Sequence, residues 1–213
     1  MLYEEIRKEL LQTVRHLYAK EMIPLNSGNV SVRASAEHFL ITPRGIPYEQ
    51  MAADDLVVIN NNGEVIEGSH KPSSETPMHL AVYGNMAKAA AVVHTHSPHA
   101  LAFAVAGRSI PIICTEGLVV RGPVPVAEYA CPGTDAQGRV AVCAMQGPPL
   151  VTGTLLQNHG VLTYGANLSE AYATACRIEI AARVYLLALQ IGTPQVLTSQ
   201  QLDEIKTLYA SLK

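Results

Sequence analysis

No C-x-x-C pair joins the four cysteines of this 213-residue chain, and no apolar run approaches the roughly 18 residues that span a bilayer. Lys and Arg are scattered, the net charge is −3, and no basic stripe marks a nucleic-acid surface. A polymer or membrane partner is therefore not expected. Cys114, Cys131, Cys143 and Cys176 read as reduced thiols, and three of them lie in apolar, helix-like or strand-like surroundings that are expected to bury them. That usage suits a reducing cytoplasm. The opening Met1-Leu2-Tyr3-Glu4-Glu5 is charged, unlike the apolar core of a signal peptide, so a cytoplasmic protein is expected. There is also no internal repeat and no low-complexity linker. With 48% hydrophobic and 15% charged residues, the chain can build one sizeable core, and residues 1–213 read as a single domain.

What is present is an opening helix signal, a meander of short strands rather than a βαβ series, and then mixed helix and strand signals. Ile6, Leu10, Val14, Leu17 and Tyr18 recur at helical spacing, which predicts an amphipathic helix over 2–22 that Pro24 ends. Short strands are predicted near 29–32 and at 38–42, 55–60 and 64–67, the last two joined by Asn61-Asn62-Gly63. Ser73-Ser74-Glu75-Thr76-Pro77 announces a helix to about Asn85, with a hydroxyl cap and Glu75 in its first turn. A strand over 90–96 follows, then a helix from Ser97-Pro98 that Gly107 stops, strands at 111–114 and 124–127, and a helix over 134–146. Residues 151–164 should form a hairpin or bent strand around Gly160, 168–190 a long helix, and Thr198-Ser199 the cap of a last one. Together these describe an α/β protein with a mainly antiparallel sheet between helices, in three α/β/α layers.

The chemistry-bearing feature is Ala89-Ala90-Ala91-Val92-Val93-His94-Thr95-His96. In a strand, residues two apart project from one face, so His94 and His96 can aim two imidazoles at one point. A second strand-like run, Val151 to Gln157, delivers His159 just before Gly160. Three imidazoles leaving a position open form the ligand set of a catalytic zinc or similar divalent ion. His99 follows the pair but falls on the next helix, where it points elsewhere. His16, His38, His70 and His79 lack ligand spacing and read as structural or solvated. Glu75 is the candidate acid–base group. Ser73 and Ser74 beside it, with the free N–H groups of a helix start, suit an anion, and Gly28, Asn29, Thr42 and Gly45 sit in turns able to add donors.

Five ordered motifs carry a resemblance over nearly the whole chain: Ser27-Gly28-Asn29-Val30-Ser31-Val32-Arg33, Ile41-Thr42-Pro43-Arg44-Gly45, Lys71-Pro72-Ser73-Ser74-Glu75, Val92-Val93-His94-Thr95-His96-Ser97 and Leu155-Leu156-Gln157-Asn158-His159-Gly160. In this order and spacing they resemble the class II aldolase/adducin-head family, most of all its fuculose-1-phosphate aldolase branch. The resemblance implies a homotetramer with active sites at subunit interfaces. It implies one Zn²⁺ per subunit on His94, His96 and His159, with Glu75 both the proton shuttle and a fourth ligand when substrate is absent. It also implies a phosphorylated sugar substrate whose phosphate meets Asn29, Thr42, Gly45, Ser73 and Ser74. The implied reaction is reversible cleavage of a ketose 1-phosphate, such as a fuculose 1-phosphate or a 5-deoxypentulose 1-phosphate, to dihydroxyacetone phosphate and a small aldehyde.

Related branches fit less closely. Ribulose-5-phosphate 4-epimerases carry aspartate at the position of Glu75, sugar-acid phosphate decarboxylases resemble K-P-T-x-E, and non-catalytic heads lose the metal ligands that this chain keeps. Fuculose-phosphate aldolases have a tyrosine soon after the Ile-Pro matching Ile110-Pro111, where this chain has Cys114-Thr115-Glu116. Tyr209 matches a second family tyrosine near the C-terminus. A Schiff-base aldolase would need a buried lysine, and Lys71 and Lys88 lie in no apolar run.

Overall fold

A computed structural model describes residues 1–211. Eight strands, β1 (Asn29–Arg33), β2 (His38–Ile41), β3 (Val57–Asn60), β4 (Val65–Glu67), β5 (Ala91–Thr95), β6 (Val126–Ala127), β7 (Gly153–Leu156) and β8 (Gly160–Gly165), form one sheet in the order β4-β3-β2-β1-β5-β8-β7-β6. Every pairing is antiparallel except β6 with β7. Six α-helices accompany it: α1 (Glu4–Ala19), α2 (Thr76–Asn85), α3 (Pro98–Val105), α4 (Asp135–Met145), α5 (Leu168–Ile191) and α6 (Ser199–Ser211).

The central strands are apolar without alternation because both faces of the sheet are covered. Along β5, Val92 joins the core with α2, α3 and α4, whereas Ala91 and Val93 join the one under α1 and the start of α5. β2 and β3 divide likewise: Phe39, Ile41, Val57 and Ile59 face one layer, Leu40 and Val58 the other. The expected three-layer α/β/α architecture is thus the one observed. No described helix is long and apolar enough to cross a membrane.

Three local expectations need correction. Residues 111–114 form no strand. Only an isolated bridge from Ile110 to Val124 occurs, and a 3-10 helix, Thr115–Val120, follows. The second helix begins at Thr76 rather than at the serines, with Glu75 as its cap residue and Ser73 and Ser74 in the preceding turn. No thiol is fully buried: Cys131 and Cys143 are exposed, and Cys114 and Cys176 are partly so. On α4 the inward residues are Gln137, Gly138, Ala141, Val142 and Met145, so the helical repeat turns Cys143 outward.

Candidate metal centre

The centre of the sheet builds the site. β5 lies between β1 and β8, and its register sets His94 opposite Asn29 on one side and Leu162 on the other. His159 enters from the turn between β7 and β8, where Asn158 adopts a left-handed φ of 57°. That sharp turn brings the third imidazole back over the end of β5. The three rings pack with centroids 4.7–5.1 Å apart. One potential ligand nitrogen from each lies within 4.8 Å of the others.

These residues fit a tetrahedral ion. Zinc–nitrogen bonds of about 2.05 Å place neighbouring donors about 3.3 Å apart. His94 Nε2 and His96 Nε2 are 3.1 Å apart. Glu75 completes the pattern, with Oε2 3.1 Å from His94 Nε2 and Oε1 3.3 Å from His159 Nε2. His94 Nδ1 lies 2.9 Å from the Val161 carbonyl, to which it donates, and this fixes the ring with Nε2 turned into the cluster.

The glycines here follow from close approach. Gly28 has φ 77°, and a Cβ on it would stand 2.7 Å from the His94 carbonyl oxygen. Tyr48 donates to the Gly28 carbonyl at 2.6 Å and pins that loop over the ligand strand. A Cβ on Gly160 would press on the Thr95 carbonyl and stand 3.0 Å from His94 Cε1.

Glu75 is held by a directed chain of buried hydrogen bonds. Asn29 Nδ2 donates to its Oε2 at 2.8 Å, so Asn29 presents Oδ1 to His79 Nε2 at 2.6 Å. His79 Nδ1 then accepts from Ser31 Oγ at 2.6 Å, and Ser31 accepts from the Tyr83 hydroxyl at 2.8 Å. Every link donates towards the carboxylate, which requires a neutral His79. Burial indeed pushes that ring down to about 3, as does the nearby His94. On the other side, Gln137 accepts the Gly133 N–H at 2.9 Å. Its Nε2 donates to Glu75 Oε1 at 3.3 Å and stands 2.7 Å from His159 Nδ1.

The electrostatics follow. Burial pushes the Glu75 carboxyl up, but His94, His159 and Asn29 outweigh it and hold the group well below the usual carboxylate range. Burial lowers His96 to about 3 and His159 to about 4, with His94 as the next cause for each. Burial also opposes charge on His94, yet Glu75 prevails and raises it. The arrangement favours an ionised carboxylate with neutral His96 and His159, the states a metal site needs, and an ion bound at His94 takes the place of the proton that Glu75 favours there.

One pocket is lined by Gly28, Asn29, Gly45, Ser73, Ser74, Glu75, His96 and His159. Thr42 stands behind it, fully buried, where its Oγ1 accepts the Val30 N–H and its carbonyl the Ser73 N–H. Tyr209 is half exposed on α6 and is not among the lining residues. His99 pairs with Glu179, whose carboxylate also accepts the first N–H groups of α3. Sequence reasoning missed Gln137, and of its two readings for His79, structural or solvated, the structure shows the structural one. His79 lies one helical turn after Glu75, a spacing that signals a shared face. Gln137 carries no such signal, since only the packing of α4 on α2 brings it in.

The sequence profile of the family described as Class II Aldolase and Adducin N-terminal domain matches residues 8–186. The chain belongs to that family. Among its class II aldolase relatives, it is 32% identical over 207 residues to the 5-deoxy-D-ribulose 1-phosphate aldolase of Bacillus thuringiensis serovar kurstaki, covering 96% of this chain and 95% of that one. It is 34% identical over 209 residues to the L-fuculose phosphate aldolase of Escherichia coli, covering 95% of each. The solved structure of an L-fuculose 1-phosphate aldolase superposes with a TM-score of 0.91 at 31% identity, over 99% of this chain and 98% of that one.

Proposed function

We propose that this chain is a metal-dependent aldolase that reversibly cleaves a ketose 1-phosphate to dihydroxyacetone phosphate and a small aldehyde. The observation that carries this reading is the convergence of three imidazoles and an ionised, hydrogen-bonded carboxylate at the floor of a pocket whose rim holds paired serines. His94, His96 and His159 would hold the ion, with Zn²⁺ the best match to their donor set and spacing, and Glu75 would be the fourth ligand before substrate enters. When bound, the ion supplies Lewis-acid stabilisation of the negative charge that develops on the substrate oxygens as the C3–C4 bond breaks.

The chain's own groups do the rest. Glu75, oriented by Asn29 and Gln137, takes a proton from the hydroxymethyl carbon of dihydroxyacetone phosphate in the synthetic direction and returns one in cleavage. Ser73, Ser74, Asn29 and Gly45 hold the phosphate at the rim, away from the bond that breaks. Thr42 supports them from behind by accepting the Ser73 N–H. The four free cysteines suit a cytoplasmic setting. Residues 1–213 work as one domain, and the assembly is a homotetramer whose neighbouring subunits complete each site, the place for Tyr209. An exposed apolar stripe of Ile180, Val184, Leu187 and Ile191 along α5 gives a surface suited to self-association.

The test is hydrogen–deuterium exchange at the hydroxymethyl carbon of dihydroxyacetone phosphate in heavy water, followed by NMR. Exchange by zinc-loaded protein that stops on chelation is the expected result. Absence of exchange in fully loaded protein would overturn the reading.

A further inference from the structure

Among the pocket-lining residues, Arg44 is the sole cationic side chain apart from the histidines. It is exposed, and among the described residues nothing bonds to its guanidinium. Two other arginines contrast with it: Arg7 is tied to Glu67, and Arg33 is stacked on Phe39 and Tyr83. The backbone of Arg44 is nevertheless fixed. Its N–H donates to the Lys71 carbonyl at 2.9 Å, Pro43 bridges Pro72, and the Ser73 N–H donates to Thr42 at 3.1 Å. These bonds zip 42–44 against 71–73, and Gly45, at φ 81°, turns the chain immediately afterwards. An unpaired guanidinium is thus rooted on one strand of a short ribbon whose other strand leads to Ser73 and Ser74. Glu75 and the three imidazoles lie deeper in the same pocket, so among its lining residues Arg44 is the side chain with a full positive charge to offer a phosphate beside the serines.

We infer that Arg44 is a specificity-determining residue that grips the substrate phosphate together with Ser73 and Ser74, and so selects phosphorylated over neutral ketoses. The inference rests on the ketose 1-phosphate reading above. The planar guanidinium fork matches two phosphate oxygens at once and brings a full positive charge, which the serine hydroxyls and backbone N–H groups lack. Because the phosphate takes no part in bond breaking, this grip is made equally in ground and transition states. Its loss falls on KM and on kcat/KM rather than on kcat.

The experiment titrates inorganic phosphate into zinc-loaded wild type, Arg44→Ala and Arg44→Lys, followed by ³¹P NMR, and measures ketose 1-phosphate cleavage beside it. Phosphate affinity should fall about ten- to a hundredfold in Arg44→Ala, with a matching rise in KM, and Arg44→Lys should recover part of the loss. Equal phosphate affinity in wild type and Arg44→Ala would overturn the role of Arg44 while leaving the aldolase reading in place. A wild type that ignores phosphate and cleaves no ketose 1-phosphate would overturn both.

Discussion

At the residue scale, the site is a carboxylate among imidazoles, and each partner of Glu75 has a distinct task. Replacing Glu75 by Gln removes the proton acceptor but leaves three ring nitrogens for the ion. Exchange at dihydroxyacetone phosphate should fall about 10²- to 10⁴-fold with zinc stoichiometry unchanged. Persistent exchange in that variant would remove Glu75 from its role. His79 makes a second, independent prediction. Its ring remains neutral in the folded chain until about 3, whereas a histidine in the unfolded chain protonates near its ordinary value of 6.5. Between these limits the unfolded state binds the extra proton, so this contribution to stability is complete above about 6.5 and is lost as pH falls. Each such group steepens the loss by about 1.4 kcal/mol per pH unit. Urea denaturation of chelated protein from pH 7 to 4 should therefore show a shallower slope for His79→Gln than for wild type, and parallel slopes would refute it.

At the scale of elements, the site exists because β5 runs between β1 and β8 and ends where the β7–β8 turn folds back. Gly160 lies at the tightest point of that contact, and a methyl group there would push on both the Thr95 carbonyl and the His94 ring. Gly160→Ala should weaken zinc about tenfold or more and cost about 1–3 kcal/mol, read by chelator competition and thermal unfolding. Unchanged zinc affinity would mean that the turn does not set the ligand geometry. The histidine pair was legible in the sequence because strand periodicity alone puts His94 and His96 on one face. The serine turn was legible in composition but not in register, since Pro77 and Thr76 permit a helix start at either end of the serines. The chain of bonds from Tyr83 through Ser31, His79 and Asn29 was not legible: its links lie up to 52 residues apart and meet only when β1 packs under α2. Thr42 shows the opposite case, a motif residue whose place in the fold is behind the pocket rather than in it.

At the scale of the molecule, the order of helices and strands was readable almost throughout because two covered faces leave apolar runs that turn residues punctuate. Residues 111–121 broke the pattern. Val120 is buried and the 3-10 segment lies against α5 instead of extending the sheet. The stripe on α5 is exposed in the single chain. If it joins copies, light scattering should find a four-chain species that Leu187→Lys converts to smaller ones with loss of cleavage, and a fully active monomer would contradict the shared site. The central claim concerns chemistry, and product analysis by NMR tests it most directly. Zinc-loaded protein is given fuculose 1-phosphate, 5-deoxyribulose 1-phosphate and ribulose 5-phosphate separately, each with a chelated control. Chelator-sensitive release of dihydroxyacetone phosphate from at least one ketose 1-phosphate is the outcome the account requires. A new pentulose phosphate epimer without cleavage, or no turnover of any of the three, would contradict it.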